Sequence, residues 1–154
     1  MDLIKHEERM EKEREIQARN AFAAYNHCEV VDVRKDFAEV RLKIVPESLN
    51  FHGNVHGGAY FTMADMCAGV VCRTDGRLYV TQQANVQFVR AVEGGTLLCR
   101  GSVLHRGRTS CLVEIRITKQ GDPKESEELK EEADRGKTEE PVFLGTFLFH
   151  CISA

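Results

Sequence analysis

The sequence predicts an α+β fold in which a mostly antiparallel sheet of about six strands wraps around one long helix. A length of 154 residues fits one ordinary domain with a real hydrophobic core. A single segment, residues 57–73, is apolar on nearly every helical face, which is typical of a buried helix. The strand-like segments are joined by connections too short for the repeated crossovers of a doubly wound parallel sheet.

The chain begins with a predicted helix over residues 3–24, within an N-terminal segment that we assign to residues 1–24. This stretch is rich in Glu, Lys, Arg, Ala and Gln, all good helix formers. Its apolar stripe is thin until Ala21, Phe22 and Tyr25. We therefore expect only the C-terminal end of this helix to dock on the core.

Two strands, a loop and the central helix follow. Alternating apolar residues predict strands at 28–34 and 37–45, with a hairpin turn at Lys35-Asp36. Residues 46–56 are rich in turn formers and predict a loop. The apolar segment 57–73 then predicts the central helix.

Four more strands complete the chain, with one insertion among them. The predicted strands are 78–92, 96–105, 108–119 and 142–152, with turn signals at Gly94-Gly95 and Gly107. Residues 120–140 form a charged insertion, either a disordered tongue or a short exposed helix. We treat residues 1–154 as one domain.

Charge and cysteine usage exclude several classes. The net charge is −3, and the acidic surplus lies in two segments of the chain, residues 1–20 and 122–140, so the remainder is mildly basic. A nucleic-acid binder would need a basic surplus. The charged start does not resemble a secretory signal, and no segment is apolar enough to span a membrane. Six cysteines without zinc spacing favour reduced thiols and a cytoplasmic location.

Asp65 is the first residue that points to chemistry. Apart from two histidines it is the only ionisable acid or base between Glu47 and Arg73, and it lies in the middle of the apolar helix. An ionised carboxylate there is costly unless something compensates it. A structural pairing with a strand arginine and a catalytic carboxylate are both open at this point.

The turn His56-Gly57-Gly58 is the second pointer. Two glycines at a helix start let the backbone adopt unusual conformations and let a ligand approach closely. The first N–H groups of a helix lack intrahelical partners, and the helix dipole favours an oxyanion there. An ordinary turn leading into a helix is the alternative.

The spacing of these two features has a structural consequence. Gly57 and Asp65 are eight residues apart, which is about 12 Å along a helix axis. One reacting carbonyl cannot contact both within a single subunit. Two such helices packed antiparallel across a two-fold axis would bring them together, so we expect a site shared within a homodimer.

The motif N-x-x-G-x-x-H-G-G-x6-D, running from Asn50 to Asp65, resembles the hotdog-fold acyl-CoA thioesterases, specifically the branch of the phenylacetate-pathway thioesterase. The resemblance covers residues 22–120 and 141–152 and includes the segments NVQFVR at 85–90 and HRGRT at 105–109. It implies hydrolysis of an acyl-CoA thioester without a metal or bound cofactor, in a homodimer that pairs into a dimer of dimers.

The resemblance also implies roles for individual residues. The Gly57 N–H would polarise the thioester carbonyl, and Asp65 of the partner subunit would act as general base or nucleophile. His56 and Asn50 match positions that orient the carbonyl and the water. Thr81 matches a hydroxyl that places the water, although a plain strand-forming role is equally open.

Other residues are assigned to substrate binding or to structure. Gly58 would add a contact at the helix start, and Arg90, Arg106 and Arg108 could meet the phosphates of coenzyme A. Solubility at strand edges is an equal explanation for the arginines, and a bond within its own loop is an alternative for Asn50. Further residues are expected in the acyl pocket or in structural roles: Tyr60, Phe61, Met63 and Phe88 in the former, His52, His105 and Cys67 in the latter.

Two competing functions share this fold. The first is a non-catalytic acyl-CoA sensor, against which the retained Asp65 argues. The second is a dehydratase, which places its acid five residues after a Pro-Gly helix start, whereas Asp65 follows Gly58 by seven residues. The acyl group itself, aryl or medium-chain, is left open by the sequence.

Overall fold

The computed structural model describes residues 2–121 and 139–153. Most of the predicted charged insertion, residues 122–138, lies outside the described residues. The helices and strands, in chain order, are α1 Asp2–Gln17, α2 Ala21–Tyr25, β1 Cys28–Arg34, β2 Phe37–Lys43, α3 Gly57–Cys72, β3 Tyr79–Phe88, β4 Thr96–Arg106, β5 Ser110–Gln120 and β6 Phe143–Cys151.

The described strands form one antiparallel sheet in the order β1-β2-β4-β5-β6-β3. The connection through α3 carries the chain from β2 to β3, on the far edge of the sheet. This confirms the α+β plan of six strands around one long helix. The predicted bounds of β1 are correct. The predicted third strand, 78–92, runs four residues too far, because β3 ends at Phe88 and residues 89–92 lie outside the sheet.

The central helix α3 is buried along most of its surface. Met63, Ala64 and Cys67 are fully buried against β2, β4 and β5. Beyond the residues of its first turn, the less buried positions recur every three or four residues along the helix from Gly58: Phe61, Thr62, Asp65, Met66 and Gly69. They therefore form one stripe along the helix, which the sheet of its own subunit leaves uncovered.

The N-terminal helix differs from the prediction, because it is split in two. Residues 18–20 interrupt it, and the Asn20 side chain accepts a hydrogen bond from the Ala23 N–H at 3.1 Å, which starts α2. Asparagine favours this N-cap position over a helix interior because its side chain competes for backbone N–H groups.

The docking of this segment also differs from the prediction. Glu13 of α1 is buried and forms an ion pair with Arg73 at the end of α3, and His6 contacts Asp32 of β1. In contrast, Phe22 and Tyr25 of α2 are 65% and 80% exposed. The Glu13–Arg73 ion pair therefore anchors α1. A search of the sequence for apolar stripes cannot detect such a pair.

None of the helices in the described part of the chain is both long and apolar enough to cross a membrane.

Candidate active site

The loop before α3 is organised by Asn50. Its Oδ1 accepts hydrogen bonds from the backbone N–H groups of His52 and Asn54, at 2.9 and 3.2 Å. The backbone N–H of Asn50 donates to the Asn54 carbonyl and the Gly53 N–H donates to the Asn50 carbonyl, which closes the same loop. The carbonyl of the side chain therefore has the structural role considered for it, while the two amide protons of Asn50 have no acceptor among the residues described.

His56 is the N-cap of α3. Its Nδ1 accepts a hydrogen bond from the Gly58 N–H at 2.8 Å. In a neutral imidazole the other nitrogen then carries the proton, so Nε2–H is the free donor. Because this bond occupies the Gly58 N–H, Gly58 has no free backbone donor for a substrate.

The Gly57 N–H, by contrast, has no acceptor among the described residues. Gly57 lines a cavity of about 290 Å³ together with Asn50, Tyr60, Phe88 and Arg90. A Cβ atom at this position would lie 3.3 Å from the Phe88 ring, so glycine keeps the backbone accessible from the cavity. A free N–H at a helix start, facing a cavity, can bind a carbonyl oxygen that gains negative charge.

The carboxylate of Asp65 lies two turns further along α3 and is half-buried. The Thr81 hydroxyl of β3 donates a hydrogen bond to Oδ1 of Asp65 at 2.7 Å. Burial raises the pKa of Asp65 above the ordinary carboxyl value, and the Thr81 hydrogen bond offsets part of that rise. No arginine or lysine within the described chain forms an ion pair with Asp65. A half-buried carboxylate without a cationic partner can accept a proton from water.

The structure thus brings the predicted residues together as two groups. One contains Asn50, His56 and Gly57 at the start of α3, and the other contains Asp65 and Thr81. Because α3 is a continuous helix, the eight residues between Gly57 and Asp65 separate the groups by about 12 Å within one chain.

Arg106 has a structural position that the sequence analysis did not foresee. Its guanidinium donates to Asp36 at 2.8 Å, to Asp75 at 2.7 Å and to the backbone carbonyl of Cys72 at 2.8 Å. These bonds join the β1–β2 turn to the end of α3. Since its donors are already used within the fold, Arg106 has none left for the phosphates of a substrate.

The other two arginines remain exposed. Arg90 lies beside the start of α3, on the cavity that Gly57 lines, and forms an exposed ion pair with Glu140 at 2.9 Å. Arg108 lies in the β4–β5 turn, where its backbone carbonyl accepts a hydrogen bond from Arg77. The Arg108 guanidinium is available to an anionic ligand, whereas that of Arg90 would first have to leave Glu140.

The acyl-pocket candidates also separate. Tyr60 and Phe88 line the cavity beside Gly57, and the Tyr60 hydroxyl donates to the Arg90 carbonyl at 3.2 Å. Met63 is fully buried in the core, so it lies away from the cavity surface.

A second cavity, of about 280 Å³, lies on the other side of the first turn of α3. It is lined by Phe22 and Tyr25 of α2 and by His56, Gly58 and Thr62. The sequence analysis did not predict that Phe22 and Tyr25 line a cavity beside the start of α3. The residue that could have indicated it is Asn20, because an N-cap there starts a separate short helix that carries both aromatic side chains.

Comparisons with known proteins show which proteins this chain resembles. Residues 52–126 match the model of the thioesterase superfamily. The acyl-coenzyme A thioesterase PaaI of Escherichia coli is 27% identical over 66% of this chain and 79% of its own length.

Two solved structures extend the likeness over most of the fold. A conserved protein of Pseudomonas aeruginosa has a TM-score of 0.71 and 29% identity, covering 86% of this chain and 94% of its own. A hypothetical thioesterase of Streptococcus pneumoniae, solved with coenzyme A, has a TM-score of 0.67 and 29% identity, covering 82% and 86%. The six-stranded antiparallel sheet around α3 is a hotdog fold, and residues 52–126 within it are similar to the thioesterase superfamily.

Proposed function

We propose that the protein hydrolyses an acyl-CoA thioester to a free acid and coenzyme A. The observation that carries this proposal is the half-buried carboxylate of Asp65, hydrogen-bonded by Thr81 and without a cationic partner among the described residues. The match of residues 52–126 to the thioesterase superfamily, the activity named for PaaI and the coenzyme A bound to the pneumococcal protein support it.

The reaction follows from two kinds of group. The thioester oxygen accepts a hydrogen bond from the Gly57 N–H, and the protons of His56 Nε2 and the Asn50 amide orient it. Asp65 takes a proton from a water molecule as the water oxygen attacks the carbonyl carbon. The tetrahedral intermediate then collapses, the C–S bond breaks, and the proton on Asp65 passes to the departing thiolate of coenzyme A.

Asp65 as a nucleophile is the other route. In that route its carboxylate oxygen attacks the carbonyl carbon, and water then hydrolyses the resulting anhydride. A single turnover in ¹⁸O-labelled water distinguishes the routes. The general-base route puts label directly into the product acid, whereas attack of water on the Asp65 carbon leaves the first product unlabelled.

The site is shared between two subunits in this proposal. Within one chain Gly57 and Asp65 are about 12 Å apart, too far to serve one carbonyl. The uncovered stripe of α3 contains Asp65 and runs between Gly58 and Gly69. The edge strand β3 carries exposed apolar side chains, including Val80 and Phe88. A two-fold axis beside this surface buries the stripe and brings Gly57 to the partner subunit's Asp65, and such dimers pair into tetramers.

The location of the protein is part of the same proposal. All six cysteines are free thiols, four of them buried. This supports a reducing compartment, and we place the enzyme in the cytoplasm.

Release of coenzyme A from a panel of acyl-CoAs, detected with a thiol reagent, tests the activity. We expect at least one member to give turnover, and we expect Asp65→Asn to lower kcat by about 10²–10⁴-fold, because a positioned base is worth that much. The matched control is Asp32→Asn, which removes a carboxylate on β1 that contacts His6 instead.

Three outcomes would contradict the proposal. Binding of acyl-CoA without thiol release would identify a sensor. Dehydration of a β-hydroxyacyl-CoA without thiol release would identify a dehydratase. Wild-type kcat in the Asp65→Asn variant would remove Asp65 from the reaction.

A further inference from the structure

A third cavity, of about 340 Å³, lies at the opposite end of α3 from Gly57. It is bounded by α1 on one side and by the turn that follows α3 on the other. Val33 of β1 and Leu78, just before β3, both line it, although β1 and β3 are the two edges of the sheet. The cavity therefore lies where the curled sheet brings its edges together, outside the candidate active site.

The lining of this cavity is basic in an acidic protein. It contains four cationic side chains and two carboxylates, whereas the whole chain has a net charge of −3. Two of the cations are neutralised locally, because Arg73 pairs with Glu13 and Arg77 pairs with Asp75.

The other two cations, Arg9 and Lys12, project from α1. Neither forms an ion pair with any residue in the described ranges 2–121 and 139–153. The rim of the cavity thus has a positive charge surplus that an anion can neutralise.

The apolar part of the lining is entirely aliphatic. Ile16 of α1, Val33, Val70 of α3 and Leu78 supply it, and Leu78 is 60% exposed. No aromatic ring is among the described lining residues, so a nucleotide base would have nothing to stack on. A flexible alkyl chain, by contrast, gains from any aliphatic surface that it removes from water.

We propose that this cavity binds an amphiphilic carboxylate, namely a medium-chain fatty acid anion. The carboxylate lies between Arg9 and Lys12, and the alkyl chain lies against Ile16 and Leu78. A volume near the lower end of the usual range for small-molecule sites fits a medium rather than a long chain. The proposal concerns binding only and does not depend on the thioesterase activity.

Titration calorimetry of the full chain with decanoate tests the proposal. We expect saturable binding, with butyrate at least about tenfold weaker because it lacks the chain that covers the aliphatic wall. The double variant Arg9→Glu/Lys12→Glu should weaken decanoate binding at least about tenfold through loss of the charged partners. Lys5→Glu is the matched control, since Lys5 is an exposed cation of the same helix that does not line the cavity.

A second variant separates the cavity from general attraction to the basic helix. Ile16→Trp fills the space and leaves the charges in place, so it should also abolish binding, and circular dichroism checks that each variant is folded. Unchanged affinity in either variant would overturn the proposal. Displacement of decanoate by coenzyme A would overturn it too, because it would place the fatty acid in the active site.

Discussion

Asp65 is a residue at which function and stability oppose each other. Burial raises its pKa, which means that the folded protein disfavours the ionised form relative to the unfolded chain. For a carboxyl with a raised pKa, folding stability decreases as the pH rises above the unfolded value, so the cost is present at neutral pH. The same environment makes the carboxylate a stronger base than a solvated aspartate.

The hydrogen bond from Thr81 gives a pH-dependent prediction. In the proposed mechanism activity requires ionised Asp65, so the rate rises with pH through its pKa, which burial raises above its ordinary value. Thr81→Val removes a bond that lowers this pKa. We therefore expect the acid limb of the kcat profile to move to higher pH, measured by thiol release across a series of pH values.

The control for this experiment is Thr96→Val, at the start of β4, a strand that does not neighbour β3. Its acid limb should coincide with that of the wild type. If the acid limb of the kcat profile does not shift in Thr81→Val, the Thr81 hydroxyl does not affect the ionisation of Asp65, and Thr81 serves only to form the strand.

At the scale of single residues, the sequence predicted the motif better than its hydrogen bonds. Asn50, His56, Gly57 and Asp65 follow from spacing along one loop and one helix, which local sequence determines. His56 could accept a hydrogen bond at either ring nitrogen, and from the N–H of either Gly57 or Gly58. The sequence does not determine which of these bonds forms. The burial of Arg106 depends on contacts with Asp36, seventy residues away.

At the scale of elements, the contact between α3 and β4 requires a glycine. A Cβ atom at Gly101 would lie 2.9 Å from Cδ1 of Ile115, 3.0 Å from Cγ2 of Val71 and 3.1 Å from Sγ of Cys67. All three side chains are fully buried, so none can move away freely. The sheet and helix therefore pack too closely at this point for a side chain.

Gly101→Ala should destabilise the protein by about 1–3 kcal/mol, because overpacking in a dense core costs that much. Urea denaturation followed by circular dichroism measures the change. Gly94→Ala is the control, since a Cβ atom there meets nothing within 4 Å, and its effect should stay within about 0.5 kcal/mol. Equal stability of the two variants would contradict the close packing of α3 on β4.

The elements themselves were largely predictable because their periodicity is local. An apolar segment without polar faces predicts α3, and alternation predicts the strands. The N-terminal helix was predicted as one piece because helix propensity varies little across it. The break depends on the capping bond of Asn20, and the docking of α1 depends on the Glu13–Arg73 pair, which joins positions sixty residues apart.

At the scale of the whole molecule, Arg106 joins distant parts of the chain. Its guanidinium connects Asp36 in the β1–β2 turn with Asp75 after α3, and it donates to the last carbonyls of that helix. Burial raises the pKa of Asp75, but hydrogen bonds from Arg77 and Tyr79 and the charge of Arg106 outweigh this and lower that pKa to about 2. The stability from Asp75 is thus present above an unfolded pKa of about 3.9 and is lost as the pH falls towards 2.

Arg106→Met should therefore lower the free energy of unfolding by about 1.5–3 kcal/mol at neutral pH, since it removes charged hydrogen bonds to Asp36 and Asp75 while Arg77 still pairs with Asp75. It should also reduce the loss of stability between about pH 4 and pH 2, because Asp75 then has a less depressed pKa. Arg100→Met, which breaks a more exposed pair with Glu39, is the control and should cost about 0–1 kcal/mol. A similar, small effect of both variants in urea denaturation would show that the network does not stabilise the fold.

The shared site gives the prediction that concerns the assembly. Asp65→Asn removes the base from one half of each site, and Gly57→Pro removes the N–H donor from the other half, worth about 3–4 kcal/mol in the transition state. Each variant alone forms homodimers in which both sites are damaged. After subunit exchange, a heterodimer has one site with both lesions and one site with neither. Activity should then return to about half of the wild-type value per heterodimer, a ratio set by the two-fold symmetry of the proposed dimer.

Native mass spectrometry measures the heterodimer fraction, and circular dichroism verifies that the proline variant is folded. If heterodimers form and the activity stays at the level of the single variants, Gly57 and Asp65 do not act on one carbonyl across the interface.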